Sequence, residues 1–430
     1  MILGISSSLI AAVFETYLIG FIGTTELAAY SFTFPVIGGL TSLMLGVSIG
    51  LSSVLARTVG SGDNSQVKRL ATDGILLMVV IMILAAIVGA STTEILFEKF
   101  GADKTTLPLI TEYMHIWYLG LVFFALPMIG ANALRATGDA RISGILMISG
   151  AVMQIILDPL LILGLWGFPK MGMIGAAWAM VISRVLLCGI TFYVLTKHKD
   201  LLLFKKINFK STIDSWGKIL NVGLPATATN LIGPISTAII ISLLADYGKE
   251  AVAGFGIASR LEALSIIPLL ALSASIGPFV GQNYGANLMG RANEAMKLAF
   301  KWALIWGLFI AVIYMATHQF LVTLFDDNEL VTNVASLYLI IVPISYGLWG
   351  VLMMCSATFN SLGKPLASTT MSIFRMFIIY VPLAFLGQYF WGITGIFLAA
   401  ALSNMLTGIL AFFWNRRVYG SDNTESEVSH

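Results

Sequence analysis

Stretches of about 20 consecutive apolar residues recur along this whole chain, and that recurrence limits its fold more than anything else in it. A helix needs about 20 apolar residues to cross the hydrocarbon core of a bilayer. Reading apolar runs against polar breaks places spans near residues 1–22, 28–56, 72–93, 109–134, 142–165 and 172–195. A second series covers 217–244, 251–280, 297–320, 332–359, 366–388 and 391–414, and no sizeable soluble domain is left over. The expected fold class is therefore an all-α polytopic membrane protein with twelve transmembrane helices. Composition agrees: 58% of residues are hydrophobic and 11% charged, against roughly 25% charged in soluble chains. Met1 opens directly into an apolar segment without a basic flank, so no cleavable signal peptide is visible.

The polar breaks carry an orientation signal. Arg57, Lys68, Arg69, Arg135, Arg141, Lys197, Lys199, Lys205, Lys206, Lys210, Lys218, Arg291, Lys297, Lys301, Lys364, Arg416 and Arg417 fall on one side. Only Lys99, Lys104, Lys170 and Lys249 fall on the other, where Glu26, Glu94, Glu98, Asp326 and Asp327 make the loops acidic. Basic residues collect in cytoplasmic loops, so both termini are expected inside, in a bacterial cytoplasmic (inner) membrane. Because the basic residues sit in short loops rather than on one face, the net charge of +2 gives no support for a nucleic-acid partner. The long polar stretch Thr196 to Trp216 reads as a cytoplasmic linker. It separates residues 1–195 from 217–415, two six-helix bundles, with 416–430 as a cytoplasmic tail.

The two halves repeat each other. TTELAAYSF (Thr24–Phe32) aligns with KEAVAGFGI (Lys249–Ile257), and Ser48–Gly62 aligns with Ser273–Asn287, both at an offset of 225 residues. LRATGDARIS matches FNSLGKPLAS at the same offset, at Gly138 and Gly363. DPLLILGLWGFPKMGMIGAA matches VPLAFLGQYFWGITGIFLAA, offset 223 at Pro159 and Pro382. Six spans per copy give both copies one orientation, related by an axis along the membrane normal, as in parallel-repeat transporters.

The same segments resemble the multidrug and toxic compound extrusion (MATE) family. FETYLIGFIGTTELAAYSFTFPV is similar to that family's first helix and following turn. ALRATGDAR, LDPLLILGLWGFPKMGMIGAAWAMVIS, GPFVGQNYGA and FNSLGKP each resemble family signatures at the expected places. The resemblance implies two related six-helix bundles forming a V-shaped cavity, and a monomer that expels small amphipathic or cationic drugs across the lipid bilayer. It implies an antiporter driven by proton influx, with sodium as the alternative ion, and no cofactor. The chain departs from the family pattern in carrying Glu15 where the first helix usually has aspartate, and Gln154-x-x-x-Asp158 where the fifth usually reads Asn-x-x-x-Asp. The seventh and tenth spans contain no acid, which argues for a coupling site in the first half.

An ionisable residue inside a span is costly to insert and is a functional candidate by default. Glu15 and Asp158 both lie roughly 12–14 Å inside the outer ends of their helices, at 1.5 Å per residue. They can share a proton or hold a cation such as sodium. Gln154 lies one turn from Asp158 on the same face, and Asn132 resembles a polar family position near this cluster. Pro159 removes a backbone donor beside the acid and predicts a bend there. Tyr17, two residues beyond Glu15, points to another face and is a cavity candidate. Arg184 and Arg375 cannot shed their charge, so each must face water or an acid, as a cavity lining or an ion pair. Arg260 and Glu262 read as groups that snorkel to the interface. The cysteines Cys188 and Cys355 lack metal-ligand spacing, and His115, His198, His318 and His430 are scattered, so no enzyme site is expected. No GxxxxGK[ST] loop supports ATP-driven pumping. A lipid-linked oligosaccharide flippase of related fold is the alternative transporter reading.

Overall fold

The computed structural model describes residues 1–203 and 209–427, and among them the secondary structure is helical throughout, without strands. The first six helices are α1 (Ile2–Ile22), α2 (Thr24–Gly60), α3 (Asn64–Lys99), α4 (Thr106–Ala136), α5 (Ala140–Leu163) and α6 (Gly172–Tyr193). A wide π turn, Val194–His198, follows α6, and α7 runs over Phe209–Ala245. The second series is α8 (Lys249–Ser265), α9 (Ile267–Gly285), α10 (Met289–Thr323), α11 (Glu329–Ile341), α12 (Tyr346–Ser361), α13 (Pro365–Ile373) and α14 (Val381–Glu427). Three of the starts carry a side-chain cap: Asp63 accepts from the Gln66 N–H, Asp139 from Ile142 and Asn328 from Leu330.

The second half is more broken than its sequence suggests. The span expected at 251–280 is two helices, α8 and α9, bent by 44° at Ile266. Pro268 explains the break, since it supplies no N–H and sits in the first turn of α9. The span expected at 332–359 is α11 and α12 joined by a tight 3-10 turn, Val342–Ser345, that contains Pro343. Between α13 and α14 lies a π segment, Phe374–Tyr380. Inside α14 the chain breaks at Gly392 (φ 58°, ψ −136°), a conformation that only glycine adopts readily. There it doubles back, so that the Gly387 and Gly395 backbones meet and a Cβ on either would collide with the other. This hairpin separates the eleventh and twelfth apolar spans. Left-handed backbone recurs at the repeat offset of 225, at Gly138 with Gly363 and at Gly167 with Gly392.

The chain divides into two compact units, residues 1–227 and 228–430. In the first unit α4 is the buried spine, packing Met114, Trp117, Leu121 and Ile129 against α2, α3 and α6. Small residues let the backbones approach, as at Gly120 against Val181 and Gly175 against Leu161, the usual device where lipid supplies no hydrophobic force. Residues 199–216, where described, are tied to this unit. Lys68 pairs with Asp200, Lys199 with Asp139, the Leu203 N–H donates to Thr72, and Thr212 and Trp216 both donate to Asp73. Lys205, Lys206, His430 and the side chain of His198 lie outside the described residues. In the second unit Leu339, Tyr346, Ala384 and Phe397 form one core cluster, and Met296, Met354 and Phe359 another. Large apolar side chains such as Leu84, Ile87, Leu308 and Phe320 stand exposed, as lipid-facing positions require.

Candidate functional site

Three helices of the first unit converge on one charged cluster. α1 contributes Glu15, α5 contributes Gln154 and Asp158, and α6 contributes Arg184. Glu15 and Gln154 are each 6% exposed, and Asp158 is 0% exposed. The Gln154 Nε2 donates to Glu15 Oε2 at 2.8 Å, while its Oε1 accepts from Arg184 Nη2 at 3.4 Å. A carboxamide donates and accepts at once, so Gln154 bridges an anion and a cation that do not bond directly. The Arg184 guanidinium also lies over the Phe124 ring, 4.7 Å from its centre. It fits because position 150 is glycine: a Cβ there would lie 3.2 Å from Nη1.

Asp158 lies one helical turn beyond Gln154. Both of its carboxyl oxygens are buried, and neither has a hydrogen-bond partner among the described residues. A buried carboxyl without a partner costs several kcal/mol, so it calls for something the chain itself does not provide: a proton, a cation or water. Glu15 and Asp158 offer the hard oxygen ligands that suit a proton or an alkali cation. No cluster of three or more His, Cys, Asp or Glu with metal-site geometry occurs among the described residues. Tyr30 and Tyr113 wall the cluster, edge to face at 5.7 Å, with the Tyr30 hydroxyl within hydrogen-bonding reach of Glu15.

The remaining candidates make no bond to the carboxyls among the described residues. The Asn132 Nδ2 donates to the Met128 carbonyl and its Oδ1 accepts from Arg135 at 2.6 Å, so it bonds within α4 rather than to the carboxyls. Tyr17 is 67% exposed. Pro159 is accommodated inside α5, which stays helical from Ala140 to Leu163.

Arg375 belongs to a second network. Its Nη1 donates to Asn404 Oδ1 at 3.0 Å, and Asn404 donates to Ser345 at 3.1 Å. The Glu262 carboxyl, expected to snorkel to the interface, instead turns inward and accepts from Tyr338 and, at 2.9 Å, from Tyr346. The repeat offered the signal for this pocket. Tyr338 lies 225 residues after Tyr113 and Phe255 lies 225 after Tyr30. Phe255 and Tyr338 reproduce the edge-to-face pair at 5.6 Å. Counted at the same offset, Arg375 falls at Gly150, the position that Arg184 fills from α6.

Comparison with known proteins agrees with this architecture. The MatE family pattern matches residues 1–160 and again 225–386, once in each half. The chain belongs to the MatE family. A protein of Shewanella oneidensis named FAD transporter is 35% identical over 97% of this chain and 92% of its own length. The probable multidrug resistance protein YoeA of Bacillus subtilis is 28% identical over 92% of this chain and 88% of its own. Among solved structures, a mutant of the Vibrio cholerae MATE transporter VcmN superposes with a TM-score of 0.93 at 27% identity, covering 98% of this chain and 95% of that one. This MatE chain is thus a multi-pass membrane transporter and not an enzyme.

Proposed function

We propose that the chain is a secondary active antiporter that exports small amphipathic organic compounds in exchange for protons, with sodium as the alternative coupling ion. The observation that carries this reading is the Asp158 carboxyl, buried with both oxygens unpartnered beside the Glu15–Gln154–Arg184 chain. A site of this kind binds an exchangeable cation and changes its net charge when it does so. Membrane potential drives that charge inward at about 2.3 kcal/mol per elementary charge per 100 mV. The transporter works as a monomer in a bacterial cytoplasmic membrane, with both termini and the basic loops inside.

Two substrate classes are in play. Kinship with a probable multidrug resistance protein favours cationic drugs. Kinship with a FAD transporter, at higher identity, favours an anionic flavin dinucleotide, and the half-buried Arg184 guanidinium suits a phosphate-bearing substrate. Proteoliposomes carrying an imposed proton or sodium gradient, assayed with a cationic dye and with FAD, test both points. Gradient-driven movement of at least one substrate is expected. Movement of neither under either gradient contradicts the reading.

A further inference from the structure

The second unit carries a crevice of about 820 Å³ between the segment around α13 and the stretch of α14 from Thr407 to Arg417. Thr370, Phe374, Leu410 and Trp414 line it, together with the buried Thr407 and the exposed Arg417. Because the chain folds back at Gly392, the start of α13 and the far part of α14 lie at one end of the hairpin. Lys364, Arg416 and Arg417 therefore gather there. From Thr407 to Arg417 is ten residues of helix, about 15 Å. That is one leaflet of a hydrocarbon core about 30 Å thick.

We propose that this crevice is a binding site for one anionic phospholipid of the inner leaflet. The apolar walls take an acyl chain over one leaflet's depth. Trp414 stands at the height of the ester linkages, where indole rings prefer to sit. The Arg417 guanidinium meets the phosphate in a bidentate pair. Thr407, a leaflet's depth from Arg417, donates its hydroxyl to the Ser403 carbonyl at 2.6 Å, so the deep end needs no polar partner from the lipid. No acidic residue lines the crevice, so nothing in it opposes a negative headgroup. Basic pockets between spans on the cytoplasmic side are suited to such headgroups. The inference rests on the inward placement of the basic loops and not on what is transported.

Native mass spectrometry of the full chain in detergent tests this, with phosphatidylglycerol and phosphatidylethanolamine of identical acyl chains as probes. The wild type should retain phosphatidylglycerol at least fivefold better. Arg417→Gln should bring the two lipids level, and Leu410→Trp, which fills the crevice and keeps the charge, should lose adducts of both. Equal retention in the wild type overturns the proposal. So does a phosphatidylglycerol preference that survives Leu410→Trp, which decides the matter if Arg417→Gln does not fold. Displacement of the lipid by added FAD or dye would assign the crevice to the substrate path and likewise overturn it.

Discussion

At the residue scale the first-half site is a chain of partial satisfaction: Glu15 and Arg184 are joined through Gln154, and Asp158 is left over. Asp158→Asn removes the ionisable group while keeping its shape, so active export should fall at least tenfold with expression and thermal stability near wild type. Expression-normalised efflux checks this, and wild-type efflux would remove Asp158 from the mechanism. Gln154→Leu breaks the bridge and leaves two charges without their amide. It should cost about 1–3 kcal/mol of stability and impair coupling together. Glu15→Asp shortens the side chain by one methylene and should keep transport, whereas Glu15→Gln should not. The acids were legible in the sequence because a charge in an apolar run stands out. Arg184 was visible too, but its place against Gly150 and Phe124 was not, since contacts between α4, α5 and α6 have no local pattern. Tyr30 and Tyr113 went unseen because buried tyrosines look like ordinary core aromatics.

At the element scale, twelve spans could be read from hydropathy, but their breaks could not. A hydropathy window averages over Ile266, Val342–Ser345 and Gly392, all of which lie inside or beside apolar sequence. Pro268 and Pro343 were the local signals for the first two. The Gly387–Gly395 approach makes a specific prediction. Gly395→Leu forces a side chain into the facing backbone and should lower stability by about 1–3 kcal/mol or more, seen as a lower melting temperature in detergent. The loop before α4 offers a pH test. The Thr105 hydroxyl, then the Thr106 N–H and hydroxyl, bind the Asp103 carboxylate and hold its pKa down to about 2. Depression of a carboxyl stabilises the folded form above the unfolded value near 4, and that contribution fades as pH falls toward 2. Hydrogen exchange at Thr105–Leu107 should therefore speed up over that window, beyond the intrinsic rate. In Asp103→Asn the same amides should show no such change.

At the scale of the whole molecule, the repeat is architectural while the chemistry is asymmetric. The family pattern matches each half once, and each half holds an edge-to-face aromatic pair 225 residues from the other. In the second half, however, the acid is satisfied by two tyrosine hydroxyls and the arginine by an asparagine. A satisfied network fixes structure, whereas an unsatisfied one invites an exchangeable ion. Glu262→Gln should accordingly lower stability by about 1–3 kcal/mol yet leave ion-driven export measurable; loss of the ion response with substrate binding intact would move the coupling site to the second half. The repeat itself was plain in the sequence, and the lack of acid in the seventh and tenth spans already pointed to the first half; what the sequence did not show is which partners each carboxyl finds. The most direct test is proton release on adding substrate to detergent-solubilised protein, compared across wild type, Glu15→Gln and Asp158→Asn. Release from the wild type and its loss in both variants are expected. Equal release from all three would show that these carboxyls are not the coupling site.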